Sequence, residues 1–202
     1  MLSKSIIRPT PDFVERYISL FDQKGFNITD KAITRLVKAF PHNHDLEDVL
    51  LKVVVINSLY ATNIYAINDV AKRICELQID SKLEQGSLDL VDELAIVNVR
   101  GKTRRNYSFA SKYCSWHAPK IYPIYDSFVD QLLWAYQKQD KFTVFKREEL
   151  LQYAHYREVL DKFREHYELR QFGYKDLDKF LWLYGRETFS SPEPYGNHPV
   201  RM

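Results

Sequence analysis

Residues 46–65 read Leu46-Glu-Asp-Val-Leu-Leu-Lys-Val-Val-Val-Ile-Asn-Ser-Leu-Tyr-Ala-Thr-Asn-Ile-Tyr65. The centre, Val53-Val54-Val55-Ile56, has the composition of a buried strand. The apolar pattern nevertheless continues to Tyr60 and Ile64 with no turn signal, and a run of that length fits a helix. Asp45 stands at its start. Reading this stretch as a buried helix makes the whole chain all-α, because the segments on either side also have helical spacing.

Upstream, Thr10 caps a helix that has Pro11 in its first turn and Phe13, Tyr17, Ile18 and Phe21 on one face, and Gly25 ends it. Asn27-Ile28-Thr29-Asp30 begins a second, with Ile33, Leu36, Val37 and Phe40 inward, stopped at Pro41. Downstream, Asn68 to Leu77 is helical, Gln78 to Gly86 is a polar connection, and Ser87 caps a short helix through Val91 and Leu94. Ile96-Val97-Asn98-Val99 is open between strand, helix end and hairpin. Tyr107–Trp116, Ser127–Lys138, Arg147–Tyr156, Tyr156–Tyr167 and Tyr174–Gly185 read as further helices, with an extended loop from Pro119 to Tyr125. The last of these helices is strongly amphipathic and is expected to pack across two lobes. Residues 1–189 thus form a single compact helical domain of two lobes with a cleft between them, and 190–202 an extended C-terminal tail.

The chain's 202 residues can bury a substantial core. Its 14 Tyr and 12 Phe against only 6 Gly argue against a sandwich or barrel, which needs frequent hairpin turns. No apolar run is long enough to span a membrane, no signal-peptide pattern is present, and Cys75 and Cys114 lie in apolar helical patterns as reduced core residues. A cytoplasmic monomer is expected. The net charge of +2 neither demands nor excludes a nucleic acid, but the cations cluster at Arg100-Gly101-Lys102-Thr103-Arg104-Arg105.

The second informative stretch is Tyr122-Pro123-Ile124-Tyr125-Asp126-Ser127-Phe128-Val129. Asp126 follows a proline-anchored turn and opens a helix, so it is an N-cap candidate whose ionised form is favoured by nearby N–H groups. Gly101-Lys102-Thr103 is no phosphate-binding P-loop, since Ile96 stands where its first glycine belongs. His42 and His44 are spaced like a metal-ligand pair, but no third ligand is nearby in the sequence. Neither a metal nor a cofactor is assigned.

Residues 50–68 and 100–129 together resemble the helix-hairpin-helix superfamily of DNA glycosylases, which includes endonuclease III. The first resembles that family's buried helix and small polar turn. The second is similar to its hairpin, following helix and proline-valine-aspartate-threonine-histidine signature. Asp126 matches the aspartate, Ser127 replaces threonine and Phe128 stands in place of histidine. Of the hairpin glycines only Gly101 is retained, Asn98 can adopt a left-handed conformation, and no iron–sulfur cysteine cluster is present.

The resemblance implies a two-lobed helical bundle that flips a damaged or modified base from double-stranded DNA and cleaves its N-glycosidic bond, more in the monofunctional than the lyase manner. Asp126 would stabilise an oxocarbenium-like sugar or activate water. A lysine would instead attack as an amine. Matching the lysine-threonine pair puts Lys102 in that role with extra residues before Asp126, whereas counting back from Asp126 without a gap puts Ser108 there and leaves Lys112 one helical turn further on. Arg100, Gly101, Lys102, Arg104 and Arg105 would hold phosphates. Asn57, Tyr60 and Asn63 are candidates for the wedge, and Trp116, His117, Tyr125 and Tyr113 for the base pocket. The alternative is a DNA-binding module of the same helical fold without catalysis.

Overall fold

The computed structural model describes residues 6–190. They form ten α-helices and one two-stranded antiparallel hairpin. The chain is mostly helical, as expected, although not wholly so. The expected tail lies outside the described residues apart from Ser190.

Helix α1 (Pro11–Gln23) starts where Thr10 accepts a hydrogen bond from the Phe13 N–H, and Gly25, at φ +79°, turns the chain into α2 (Asn27–Ala39). Helix α3 (Leu46–Leu59) is capped by Asp45, which accepts from the Glu47 and Asp48 N–H groups. It buries Val49, Lys52, Val53 and Ile56 but leaves Leu51, Val54 and Leu59 exposed, so it is a half-buried helix and not a fully buried one. It also ends at Leu59, short of Tyr65, because Ala61 and Asn63 take left-handed conformations.

Helix α4 (Ile67–Glu76) is followed by α5 (Ile79–Gln85), in the stretch expected to be a polar connection. Ile79 and Leu83, one turn apart, are the buried pair that holds α5 down. Helix α6 (Asp89–Ala95) begins after Leu88, not at Ser87. It leads into β1 (Ile96–Val99) and β2 (Lys102–Arg105), which pair Ile96 with Arg105 through Val99 with Lys102. The two-residue turn between them has Arg100 at φ 50° and Gly101 at φ +76°. Positive φ at both positions is what a tight hairpin of natural twist requires. Asn98, pairing with Thr103, is an ordinary strand residue.

Helices α7 (Tyr107–His117) and α8 (Ser127–Asp140) flank residues 118–126. The loop expected to be extended from Pro119 first makes a turn at 119–121, closed by the Ile121 and Tyr122 N–H groups on Ala118 O. It then runs without helix or turn to Asp126. The Arg147–Tyr156 region is a short 3-10 turn, Arg147–Leu151, followed by α9 (Tyr153–His166), one helix where two were expected. Helix α10 (Tyr174–Phe189) packs on both α1 and α8.

The high tyrosine content has a structural use. Tyr113, Tyr122, Tyr136, Tyr153 and Tyr156 are fully buried. Their hydroxyls donate to Asn43 Oδ1, Ser87 O, Ile7 O, Pro123 O and Ile124 O respectively. Each ring fills core volume while its hydroxyl satisfies a polar group that burial would otherwise strand.

Candidate active site

Asp126 is the N-cap of α8, its Oδ1 accepting from the Phe128 N–H at 3.0 Å. The loop that delivers it is fastened at each step. Tyr153 and Tyr156 hydroxyls hold the carbonyls of Pro123 and Ile124, and the Ser111 hydroxyl accepts the Tyr125 N–H at 3.0 Å. Tyr125 O accepts from Ser108 Oγ at 3.2 Å and from Lys112 Nζ at 3.3 Å. The carbonyls of residues 123–125 and the Tyr125 N–H are all held by side chains, which restrains the Asp126 carboxylate in position.

Lys112, on α7, is 2% exposed. Its Nζ donates to Ser108 Oγ at 2.6 Å and to Asp126 Oδ2 at 3.2 Å, and lies 5.3 Å from the centroid of the Tyr60 ring. The lysine and the aspartate therefore form an ion pair on two adjoining helices. The pair opens into a cavity of about 220 Å³. Phe21, Phe26, Tyr60 and Trp182 supply aromatic walls, and Asp30 and Asp178 add carboxylates to Asp126. This volume lies below the roughly 300–1,000 Å³ of drug-sized sites and suits one flat heterocycle.

Asp178 is half-buried and lines the cavity. Burial, opposed by Lys175 and Lys112 and reinforced by Asp126 and Asp30, pushes its carboxyl up to about 7. Burial likewise raises Asp30 above the usual carboxylate range. Lys175, one turn before Asp178 on α10, is depressed to about 8, again chiefly by burial, and its Nζ lies 3.5 Å from the centroid of the Trp116 ring. One cavity thus holds a hydrogen-bonded carboxylate at Asp126 and a carboxyl that keeps its proton near neutrality at Asp178. Such divergent environments separate base and acid roles.

The residues singled out from sequence divide sharply. Lys112, Asp126 and Tyr60 meet at the cavity. Lys102 does not: it is an exposed β2 residue in a separate groove of about 630 Å³, with Tyr65, Arg100 and Arg104. Arg105 is bound to Asp92 at 2.7 Å and to Leu151 O, and stacks over Tyr107, which ties the hairpin to the body of the protein. Gly101 is in the open turn of the hairpin, where an added Cβ would meet nothing within 4 Å.

Asn57 points into its own turn, where Oδ1 accepts from Thr62 Oγ1 and the Ile64 N–H and Nδ2 donates to Ile64 O. That makes it a turn organiser, not a wedge. Asn63 is exposed at the tip of the same turn. Tyr125 donates to Asp130 Oδ2 and packs between Tyr107 and Tyr156. His117 packs at a tilt against the Tyr113 ring, and burial lowers it to about 3. Tyr113 itself is fully buried against Asn43. Trp116 sits behind Tyr60 as the platform for Lys175. None of these last four lines the cavity.

Sequence reasoning missed Asp178, Trp182, Phe21, Phe26 and Asp30, and also Tyr65, which is 95% exposed beside the basic hairpin. The Asp178 signal was present: a carboxylate on the same helical stripe as Tyr174, Leu181 and Gly185, all buried.

Residues 13–121 match the family described as HI_0787_N, N-terminal domain. The chain belongs to this family. An uncharacterized protein of Haemophilus influenzae is 45% identical over 145 residues, which is 71% of this chain and 69% of that protein. No solved structure matches the chain. The HI_0787_N match includes Tyr60 and Lys112 and stops before Asp126 and α10.

Proposed function

We propose that the protein is a DNA glycosylase-like base-excision enzyme, built as a two-lobed helical bundle, that receives an everted base of double-stranded DNA in the Lys112–Asp126 cavity. The observation that carries this reading is the 3.2 Å contact between Lys112 Nζ and Asp126 Oδ2 at the mouth of an aromatic-walled cavity. Asp126 takes a proton from the Lys112 ammonium, and the lone pair so freed on Nζ attacks the sugar C1′ as the bond to the base breaks. The base leaves with the bonding electron pair, and protonated Asp178 is the available donor to it. The aromatic walls stack on the extruded ring.

The turn after α3 touches both relevant surfaces. Leu59, Tyr60 and Ala61 line the cavity, and Tyr65, Ala66 and Asn68 line the groove that holds Arg100, Lys102 and Arg104. Phosphates bound along that groove would bring the duplex alongside the cavity, with Asn63 at the turn tip as the remaining wedge candidate. The Lys112 contact favours an amine nucleophile over the water-only route expected from sequence.

The test is incubation of the full chain with duplexes bearing oxidised, alkylated or mismatched bases and with abasic-site DNA, in the presence of borohydride. A covalent adduct is expected, lost in Lys112→Gln and in Asp126→Asn. Base release with no adduct would leave Asp126 and water as the chemistry. Salt-sensitive DNA binding with no base release would support the non-catalytic module instead.

A further inference from the structure

His42 and His44 lie in the segment joining α2 to α3. The chain bends at Asn43 and His44, leaving both imidazoles exposed to solvent while Asn43 between them is 1% exposed. The imidazole rings are 5.5 Å apart between centroids. Folding brings Asp80, in the first turn of α5, against them, with His42 Nδ1 at 3.9 Å from Asp80 Oδ2. One ligand atom from each of His42, His44 and Asp80 falls within 4.8 Å of the other two. The third ligand that the sequence did not offer is thus supplied by tertiary structure.

The carboxylate is held from behind. Asn43 donates to it twice, from Nδ2 to Oδ1 at 2.6 Å and from its backbone N–H to Oδ2 at 3.0 Å. Asn43 Oδ1 is itself fixed by Lys52 Nζ and by the Tyr113 hydroxyl, both at 2.7 Å. Lys52 also donates to Phe40 O and His42 O, which fastens the backbone on either side of His42. A carboxylate oriented by a buried network is the outer-shell support that metal sites use to aim their ligands.

We infer that His42, His44 and Asp80 form a binding site for a divalent transition-metal cation, zinc by the chemistry of its donors, with a fourth position open to water. Two imidazoles and one carboxylate make a borderline-soft donor set suited to zinc and not to calcium or magnesium. A tetrahedral ion holds such donors about 3.4 Å apart, and the exposed imidazoles can close that far by side-chain rotation. The ion would clamp the α2–α3 connection to α5. Helix α2 carries Asp30 in its first turn, at the cavity, and leads from its other end into the segment that holds His42 and His44. None of its three ligands lines the Lys112–Asp126 cavity, so the site does not rest on the proposed base chemistry.

The experiment is titration of the full chain at pH 7.5 with zinc chloride alone, by calorimetry, and with cobalt(II) alone, by visible absorption. Binding of one equivalent is expected, with four-coordinate cobalt bands and a zinc-dependent rise in Tm. His42→Ala and His44→Ala, both at exposed positions that leave the fold intact, should each weaken binding at least tenfold and abolish the Tm rise. His155→Ala, at a remote surface histidine, should change neither. No uptake by the wild-type chain, or full-affinity uptake by either His42→Ala or His44→Ala, would overturn the site.

Discussion

Gly185 of α10 packs against the Phe128 carbonyl at the start of α8 so closely that a Cβ at residue 185 would stand 2.7 Å from that oxygen. This contact sets the distance between the helix that carries Asp178 and the helix that Asp126 caps. Since the obstructing atoms are backbone, neither side can yield by rotating a side chain. Gly185→Ala should therefore destabilise the protein by about 1–3 kcal/mol, the usual cost of overpacking, despite alanine's better helix propensity. Urea denaturation monitored by circular dichroism measures this, and an unchanged or raised midpoint would show that the helices can part freely.

Asp178 and His117 should tilt the stability–pH curve in opposite directions. The Asp178 carboxyl, raised to about 7 by burial, binds its proton more tightly in the folded state. Its contribution is fully present below about pH 4 and is lost as pH rises toward 7. His117, lowered to about 3, contributes stability above about pH 6.5 that is lost as pH falls. Each slope approaches about 1.4 kcal/mol per pH unit where only one state is protonated. Between pH 4 and 6.5 the two cancel in the wild type, so the differences against variants are what report them. The stability of wild type minus Asp178→Asn should fall with rising pH, and that of wild type minus His117→Phe should rise. A flat difference in either series would contradict buried titration at that residue.

Local punctuation in the sequence was readable where one residue decides the geometry. Thr10, Gly25 and Asp126 sit where capping and turn chemistry put them, because an N-cap or a left-handed glycine acts within three or four residues. Helix α5 escaped notice because its buried pair, Ile79 and Leu83, is set among polar residues that read as a connection. The hairpin turn was obscured by Arg100, a residue rarely found at positive φ. The cavity was only partly legible for a different reason. Lys112 and Asp126 are close in sequence, but Phe21, Asp30 and Asp178 come from α1, α2 and α10 and meet them only through packing. The same holds for Asp80 and the two histidines.

Lys52 is a charged residue at 0% exposure whose three acceptors are Phe40 O, His42 O and Asn43 Oδ1. Burial depresses it to about 8. Lys52→Met would preserve volume and remove the desolvation cost, yet it would strand two backbone carbonyls and loosen Asn43. At about 1–3 kcal/mol for each stranded acceptor, the loss should exceed the gain and lower the unfolding free energy by roughly 2 kcal/mol or more. Hydrogen exchange should show the segment around residues 40–45 opening first. A Lys52→Met protein as stable as wild type would mean that water replaces the ammonium there.

Arg104 and Arg105 are adjacent but should behave as two different kinds of residue. Arg104 lines the open groove with Arg100 and Lys102. Arg105 is occupied by Asp92, Leu151 O and the Tyr107 ring. Arg104→Ala should then leave Tm unchanged, weaken duplex binding about equally for all sequences, and reduce the slope of log K against log salt by about 1. Arg105→Ala should lower Tm while leaving that salt slope close to the wild-type value, because its charge is not free for a phosphate. Fluorescence anisotropy with a labelled duplex between about 50 and 200 mM salt separates the two effects. An unchanged slope in Arg104→Ala would remove the groove from the DNA path, whereas a reduced slope in Arg105→Ala would show that the guanidinium leaves Asp92 to meet the duplex.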